Sequence, residues 1–193
     1  MIKWELKGRT LEFDEESHLY IVDGIIVPSV TQVLSKKFPN KYSSIPPAVL
    51  KAAADKGTSI HKMIENYCKG EEISERCVKH YQFLENAHNF KAVENEIPVI
   101  VELGDNTYAG RLDMIINING KYAVADIKTT CVLDKEYLGL QLNLYRIGVE
   151  QCYDYKIEEL YGIHIRDDTR KLVKIPIKGE EWLLKSLTLT ETE

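Results

Sequence analysis

Two aspartates and a lysine, Asp113, Asp126 and Lys128, are the residues whose types and spacing can do chemistry in this chain. The acids lie in strand-like runs, 108–118 and 121–129, separated by Asn119-Gly120, the sequence of a two-residue type I′ turn. That turn sets Ile118 opposite Lys121, and counting outward along both strands sets Asp113 directly opposite Asp126. Pairs at that step are of the non-hydrogen-bonded kind, with Cα atoms about 4.5 Å apart. Two ionised carboxylates so placed repel each other. Asp126 also sits in 122–127, YAVADI, an almost continuous apolar run typical of a strand covered on both faces. An unpaired carboxylate there costs several kcal/mol or takes up a proton. A hard divalent cation relieves both difficulties, and Mg²⁺ is commonly held by one or two carboxylates with water and substrate phosphate.

Lys128 follows on the same face as Asp126, because strand side chains alternate with period two. It lies about 6–7 Å further along, where an ammonium reaches an attacking water and a phosphate while the acids hold metal. The same register sets Arg111 opposite Lys128 and adds positive charge to that face. The arrangement suits metal-assisted phosphodiester hydrolysis. A third carboxylate is expected from the preceding strand. If the turn over 104–107 has an even number of residues, Glu96 and Glu94 both share the face of Asp113, and Glu96 is the nearer. The plainer alternative is a structural Asp–Lys pair on a surface hairpin.

The elements that must position these residues are legible around them. Strands are expected at 10–13, 19–22 and 25–27, the last two joined by the hairpin dipeptide Asp23-Gly24. Ser29 followed by Gln32 is a capping box, so a short helix begins there. Residues 38–47, with three prolines and two serines, read as a loop. Helices follow at 48–69, with Gly57 as a point of breakage, and at 74–91. Strands then occupy 95–103, 108–118 and 121–129, a helix 135–153, strands 159–165 and 172–177, and a last short helix 181–187. The first three of these strands are joined too tightly to cross over and must be antiparallel. The fourth is reached through a helix, which permits a parallel, right-handed connection. The fold class is therefore α/β, a mixed sheet with helices packed on it.

The 193 residues suit one domain, with N-terminal strands and helices over 1–92, a catalytic sheet over 93–166 and a C-terminal strand and helix over 167–193. No window approaches the ~18 consecutive apolar residues of a membrane span. The polar start, MIKWELKGRT, lacks a secretory apolar region, so a cytoplasmic location is expected. Four cysteines without a C-x-x-C pair argue for reduced thiols. The net charge of −5 counts against binding nucleic acid through bulk charge, though not against a local basic groove.

Five ordered motifs resemble the RecB-like branch of the PD-(D/E)XK nuclease superfamily, over about residues 28–145. Gly110 and Asp113 match its G-x-x-D element, Asp126, Lys128 and Thr129 its D-x-K-T, and Gln141 and Tyr145 its Q-x-x-x-Y. Gly57 to His61 is similar to the helix on which this branch carries a histidine, and Pro28 to Thr31 to an N-terminal motif of its phage and mitochondrial exonucleases. The resemblance implies an αβββαβ core of restriction-endonuclease type and a Mg²⁺- or Mn²⁺-dependent DNA nuclease. Within it His61, Asp113, Asp126 and the Ile127 carbonyl would be metal ligands, and Lys128 would orient or activate water. Gln141 and Tyr145 would support the site or contact DNA. It also implies an exonuclease of recombination, repair or phage DNA processing, with a single-strand annealing or other recombination protein as a partner besides DNA. Some relatives carry a [4Fe–4S] cluster on clustered C-terminal cysteines. Here the last is Cys152, so no iron–sulfur cluster is expected.

The supporting residues have simpler roles available. A lone histidine such as His61 is more often a hydrogen-bonded core residue than a ligand. Gln141 and Tyr145, one turn apart, would equally close a core hydrogen bond. Ser29 and Thr31 open a helix, where free N–H groups bind phosphate, but capping alone explains them. Lys36, Lys37, Lys41, Lys51, Lys56 and Lys62 make the first part basic, and Tyr42 is a stacking surface for an unpaired base. A catalytically silent DNA-end binding module and a structure-specific endonuclease are the rival functions. A chance pattern in a structural protein would instead leave Asp113 and Asp126 on opposite faces.

Overall fold

A computed structural model describes residues 1–39 and 43–188. Four short strands come first, β1 (Ile2–Leu6), β2 (Arg9–Asp14), β3 (Leu19–Val22) and β4 (Ile25–Val27). They form an antiparallel meander in that order. Helices α1 (Val30–Lys37), α2 (Pro47–Cys68) and α3 (Arg76–His88) lead to the main sheet. That sheet is built from β5 (Phe90–Leu103), β6 (Asn106–Ile118), β7 (Lys121–Lys128), β8 (Ile157–Arg166) and β9 (Thr169–Ile175). Helix α4 (Lys135–Cys152) connects β7 to β8, and α5 (Glu180–Thr188) follows β9. The five strands are hydrogen-bonded in sequence order. All neighbours are antiparallel except β7 and β8, which α4 joins in parallel. The fold is α/β, a mixed sheet flanked by helices, with the order α–β–β–β–α–β from α3 to β8.

Local chemistry accounts for the boundaries that matter to function. At the β6–β7 reversal Asn119 has φ +50° and Gly120 φ +85°, the positive values that a type I′ turn requires. Ile118 pairs with Lys121 there, and the register runs on as far as Met114 with Ala125. Ser29 caps α1 by accepting from the Gln32 amide, while the Gln32 side chain accepts from the Ser29 amide. Helix α4 is buried over most of its length, as expected of a helix lying across a sheet. On it Asn143 is clamped between Gly139 O, Pro176 O and the Lys178 amide, which seats the segment after β9.

The sheet separates two apolar clusters. One, beneath α4 and the N-terminal meander, contains Leu112, Ile115, Val124, Leu138 and Tyr145. The other, beneath α2 and α3, contains Ile60, Ile64, Tyr81, Met114, Ile116 and Ile127. Adjacent residues of β7 alternate between them, Val124 to the first and Ala123 and Ala125 to the second. Covering both faces is what makes this strand read as a continuous apolar run.

Several expectations are corrected. Strand β1 is an addition to the expected elements, although Ile2–Leu6 alternates apolar and charged residues with the period of a half-buried strand and pairs with β2. Gly57 does not break α2, which is continuous. Helix α3 starts at Arg76 and stops at His88, because Asn89 turns left-handed and Phe90 already begins β5. Strand β9 begins at Thr169, earlier than its apolar residues announce. Among the described residues no helix is long and apolar enough to cross a membrane.

Candidate active site

Strands β6 and β7 part at the step that would pair the two aspartates. The ladder's last pair is Met114 with Ala125, and just beyond it Asp113 Oδ2 accepts from the backbone N–H of Ile127 at 2.7 Å. The acids therefore do not form the ladder pair expected of them. A carboxylate has taken a backbone donor on the neighbouring strand, and both acids stand in register at the mouth of the opened ladder. Asp126 is 3% exposed. Lys128 Nζ lies 2.6 Å from Asp126 Oδ2 and donates to Gln141 Oε1 at 2.9 Å. His61, from the middle of α2, brings Nδ1 within 3.3 Å of Asp113 Oδ1. Four separate elements, α2, β6, β7 and α4, thus converge on one cluster.

Its electrostatics follow from burial and proximity. Burial, then the neighbouring Asp113 charge, pushes the Asp126 carboxyl up to about 6, against the pull of Lys128. Burial also raises Asp113, but His61, Lys128 and the Ile127 N–H outweigh it and hold Asp113 below the ordinary value. For His61 burial disfavours the imidazolium, while Asp113 and Asp126 more than offset it, so its pKa is raised. Lys128 is likewise raised, the two acids overcoming the cost of burial. Within this cluster Asp126 Oδ2 is the buried oxygen without an aligned hydrogen-bond donor; elsewhere among the described residues Asn95 Oδ1 is in the same position. The Lys128 ammonium touches Asp126 Oδ2 at 2.6 Å as an ion contact without hydrogen-bond alignment.

Two glycines give the cluster room. A Cβ built on Gly110 would stand 2.8 Å from Tyr145 Cε1, so the tyrosine ring lies against a backbone that only glycine leaves bare. A Cβ on Gly57 would stand 3.1 Å from Thr129 Oγ1, which explains a glycine inside an unbroken helix. Thr130 is tied down in turn by His164 Nε2, 2.7 Å from its carbonyl. None of these contacts is visible from spacing alone, though the glycines were its signal. Gly110→Ala is expected to cost about 1–3 kcal/mol by overpacking, read as a lower urea midpoint. An unchanged midpoint would mean that the Tyr145 ring is free to move away.

Other expected site residues fall differently. The β6–β7 ladder ends before Arg111 and Lys128, so the two are not ladder partners; towards β5 Arg111 pairs with Pro98, and its guanidinium Nε lies 2.7 Å from Glu96. The β5–β6 turn has two residues, Gly104 and Asp105, so Glu96 lies across from Asp113, between the pairs Asn95–Met114 and Ile97–Leu112. Glu96 has φ +54°, a left-handed backbone that costs a non-glycine residue about 1–2 kcal/mol. Burial and the Asp113 charge raise its pKa against the pull of Arg111. Glu94 is turned elsewhere, accepting from the Tyr155 hydroxyl at 2.5 Å. The Ser29 hydroxyl caps α1 by accepting from the Gln32 amide, and it lies 3.0 Å from the Thr31 hydroxyl. Tyr42 and Lys41 lie outside the described residues. Among the described residues no three His, Cys, Asp or Glu side chains stand as a ready cation cage.

No protein-family model matches the chain, and no curated protein does. Among solved structures it is similar to the protein SSO0001, with a TM-score of 0.47 and 18% identity over 83% of this chain and 72% of that one. It is also similar to a provisionally assigned exonuclease from Eubacterium rectale, with a TM-score of 0.47 and 11% identity over 86% of this chain and 77% of the other. At these identities and scores neither likeness bears on what the site does.

Proposed function

We propose that the chain is a divalent-metal-dependent DNA nuclease. The observation that carries this reading is the gathering of two buried carboxyls, Asp113 and Asp126, beside a buried lysine, with Asp126 Oδ2 met by the Lys128 ammonium and by no other donor. Such a cluster is costly to maintain for stability alone. The residues present fit a hard cation: Asp113 and Asp126 supply anionic oxygen, the Ile127 carbonyl a neutral one, and His61 stands beside them as a further donor. Because no cage is preformed, the remaining positions would fall to water and substrate phosphate, as is usual for Mg²⁺. When bound, Mg²⁺ or Mn²⁺ lowers the pKa of a water and offsets charge gathering on phosphorus.

The chain's own residues do the rest. The Ile127 N–H and His61 fix Asp113 from two directions, so its carboxylate does not need to reorganise. Gln141 and Asp126 together hold the Lys128 ammonium, which leaves its remaining proton for an attacking water or the scissile phosphate. Water oxygen bonds to phosphorus as the bond from phosphorus to the leaving sugar oxygen breaks. Tyr145, wedged against Gly110, keeps Gln141 and its helix at the correct depth.

An exonuclease of recombination, repair or phage DNA processing, working beside a strand-annealing protein, is the form that the motif resemblance favours. End-labelled linear single strands, linear duplex and closed circular DNA, each incubated with Mg²⁺ or Mn²⁺, test it together. Loss of linear DNA alone supports the exonuclease, and nicking of circles makes the protein an endonuclease. No product with either metal overturns the reading in favour of a silent DNA-end binding module.

A further inference from the structure

A cleft of about 350 Å³ opens between α2, α3 and the end of β8, lined among others by Lys56, Arg76, His80 and Arg166. It adjoins the candidate site through α2: Lys56 precedes Gly57, which faces Thr129, and Ile60 precedes His61, which faces Asp113. On α3 the residues Arg76, His80 and Phe83 follow at helical spacing and share one face. Phe83 is 50% exposed, unusual for an aromatic ring, and the Arg170 guanidinium lies 3.9 Å from its centre. The same guanidinium reaches His80 Nδ1 at 3.2 Å, so the stacked pair is continuous with the cleft wall.

Four cations, Lys56, Arg76, Arg166 and Arg170, are thus gathered in a chain whose net charge is −5. Against them stand Glu75 and the two acids of the β8–β9 turn, Asp167 and Asp168. Those two acids hold most of the cations: Asp167 takes Lys56 at 3.2 Å and Arg166 at 3.1 Å, and Asp168 takes Arg76. Exposed pairs of this kind contribute about 0–1 kcal/mol, so a polyanion can displace the two carboxylates from them, while His80 Nε2, 2.9 Å from the Asp167 carbonyl, keeps the turn's backbone in place. A row of displaceable cations beside an open aromatic–guanidinium stack is the chemistry that receives unpaired bases and their backbone.

We propose that this cleft binds a single-stranded polynucleotide, its phosphates on Lys56, Arg76 and Arg166 and a base on the Phe83–Arg170 stack, with Asp167 and Asp168 holding the cations until the strand arrives. The inference deepens the nuclease reading, since it supplies the strand that leads to Asp126 and Lys128. It is nevertheless tested without cleavage. Fluorescence anisotropy in EDTA would follow a labelled oligothymidylate and a duplex of equal length over a range of salt concentrations. The single strand is expected to bind more tightly than the duplex. Phe83→Ala, whose ring is half exposed and whose fold circular dichroism can verify, is expected to weaken single-strand binding roughly 5- to 100-fold. Arg76→Gln should weaken it as well and flatten the salt dependence.

Asp167→Asn combined with Asp168→Asn should act in the opposite sense and tighten binding. Asparagine tolerates the left-handed backbone of residue 167, φ +43°, so the turn survives the change. Equal affinity of Phe83→Ala and the unaltered protein, weaker binding by the double asparagine variant, or preference for duplex would each overturn the proposal. This pattern in a protein that never cleaves DNA would uphold the cleft and overturn only the nuclease reading.

Discussion

Replacing Lys128 by alanine is expected to slow DNA cleavage by roughly 10²–10⁴-fold, the range for losing a positioned proton-transfer or charge-stabilising group. The same change is expected to destabilise the protein at neutral pH. Lys128 lies against Asp126, which has little other compensation, and removing one partner of a buried pair costs about 3–5 kcal/mol. The lower end applies here, because Lys128 keeps 22% of its side chain exposed. The pairing also gives a remedy: Asp126→Asn in the same chain should restore the stability while leaving cleavage absent. Single-turnover cleavage rates and thermal melts of both variants read the two effects separately. Parental cleavage in Lys128→Ala would remove the lysine from the chemistry.

Asp126→Asn alone is expected to abolish metal-dependent cleavage and, with chelator present, to raise the melting temperature at neutral pH. The sign follows from linkage. The folded-state pKa of Asp126 is raised to about 6 from an unfolded value near 4, by burial first and by Asp113 second. Between those values the folded chain binds more protons than the unfolded chain, so stability falls as pH rises through this window. Asparagine is neutral throughout and does not incur that loss. The variant's advantage should therefore be absent near pH 3.5, grow to about pH 6 and level off above it. Melts of parent and variant across this range check the shape. A variant that melts lower than the parent at neutral pH would mean that Asp126 is stabilised as an anion by the protein alone.

Much of this cluster was legible because its rules are local. Asn119-Gly120 fixes a turn and the turn fixes a register as far as Met114 and Ala125, one step short of Asp113 and Asp126. The capping box at Ser29 and Gln32 is equally local. What the sequence withheld was partner choice across distance. Nothing near Asp113 announces that it will take the Ile127 amide and end the ladder, and nothing near Arg111 that its guanidinium will be held by Glu96. The β5–β6 turn decides which glutamate approaches Asp113, and its length rests on hydrogen bonding that Gly104 and Asp105 only permit. Gly57 was read as helix breakage from propensity, whereas its cause is Thr129, far along the chain. Strand β1 did carry a signal, the apolar–charged alternation of Ile2–Leu6, but over only five residues.

His61 and Asp126 both take up protons more readily than free groups do, which eases the repulsion around Asp113 as pH falls. A bound divalent cation would take over that role, and its binding should release protons. Titration calorimetry of Mn²⁺ into the chelator-stripped protein, repeated in buffers of different ionisation enthalpy, measures both quantities at once. Saturable uptake with proton release in the parent, lost in Asp126→Asn, is the expected result. Absence of uptake in the parent, or undiminished uptake in Asp126→Asn, would contradict the assignment of these two aspartates as the seat of a cation.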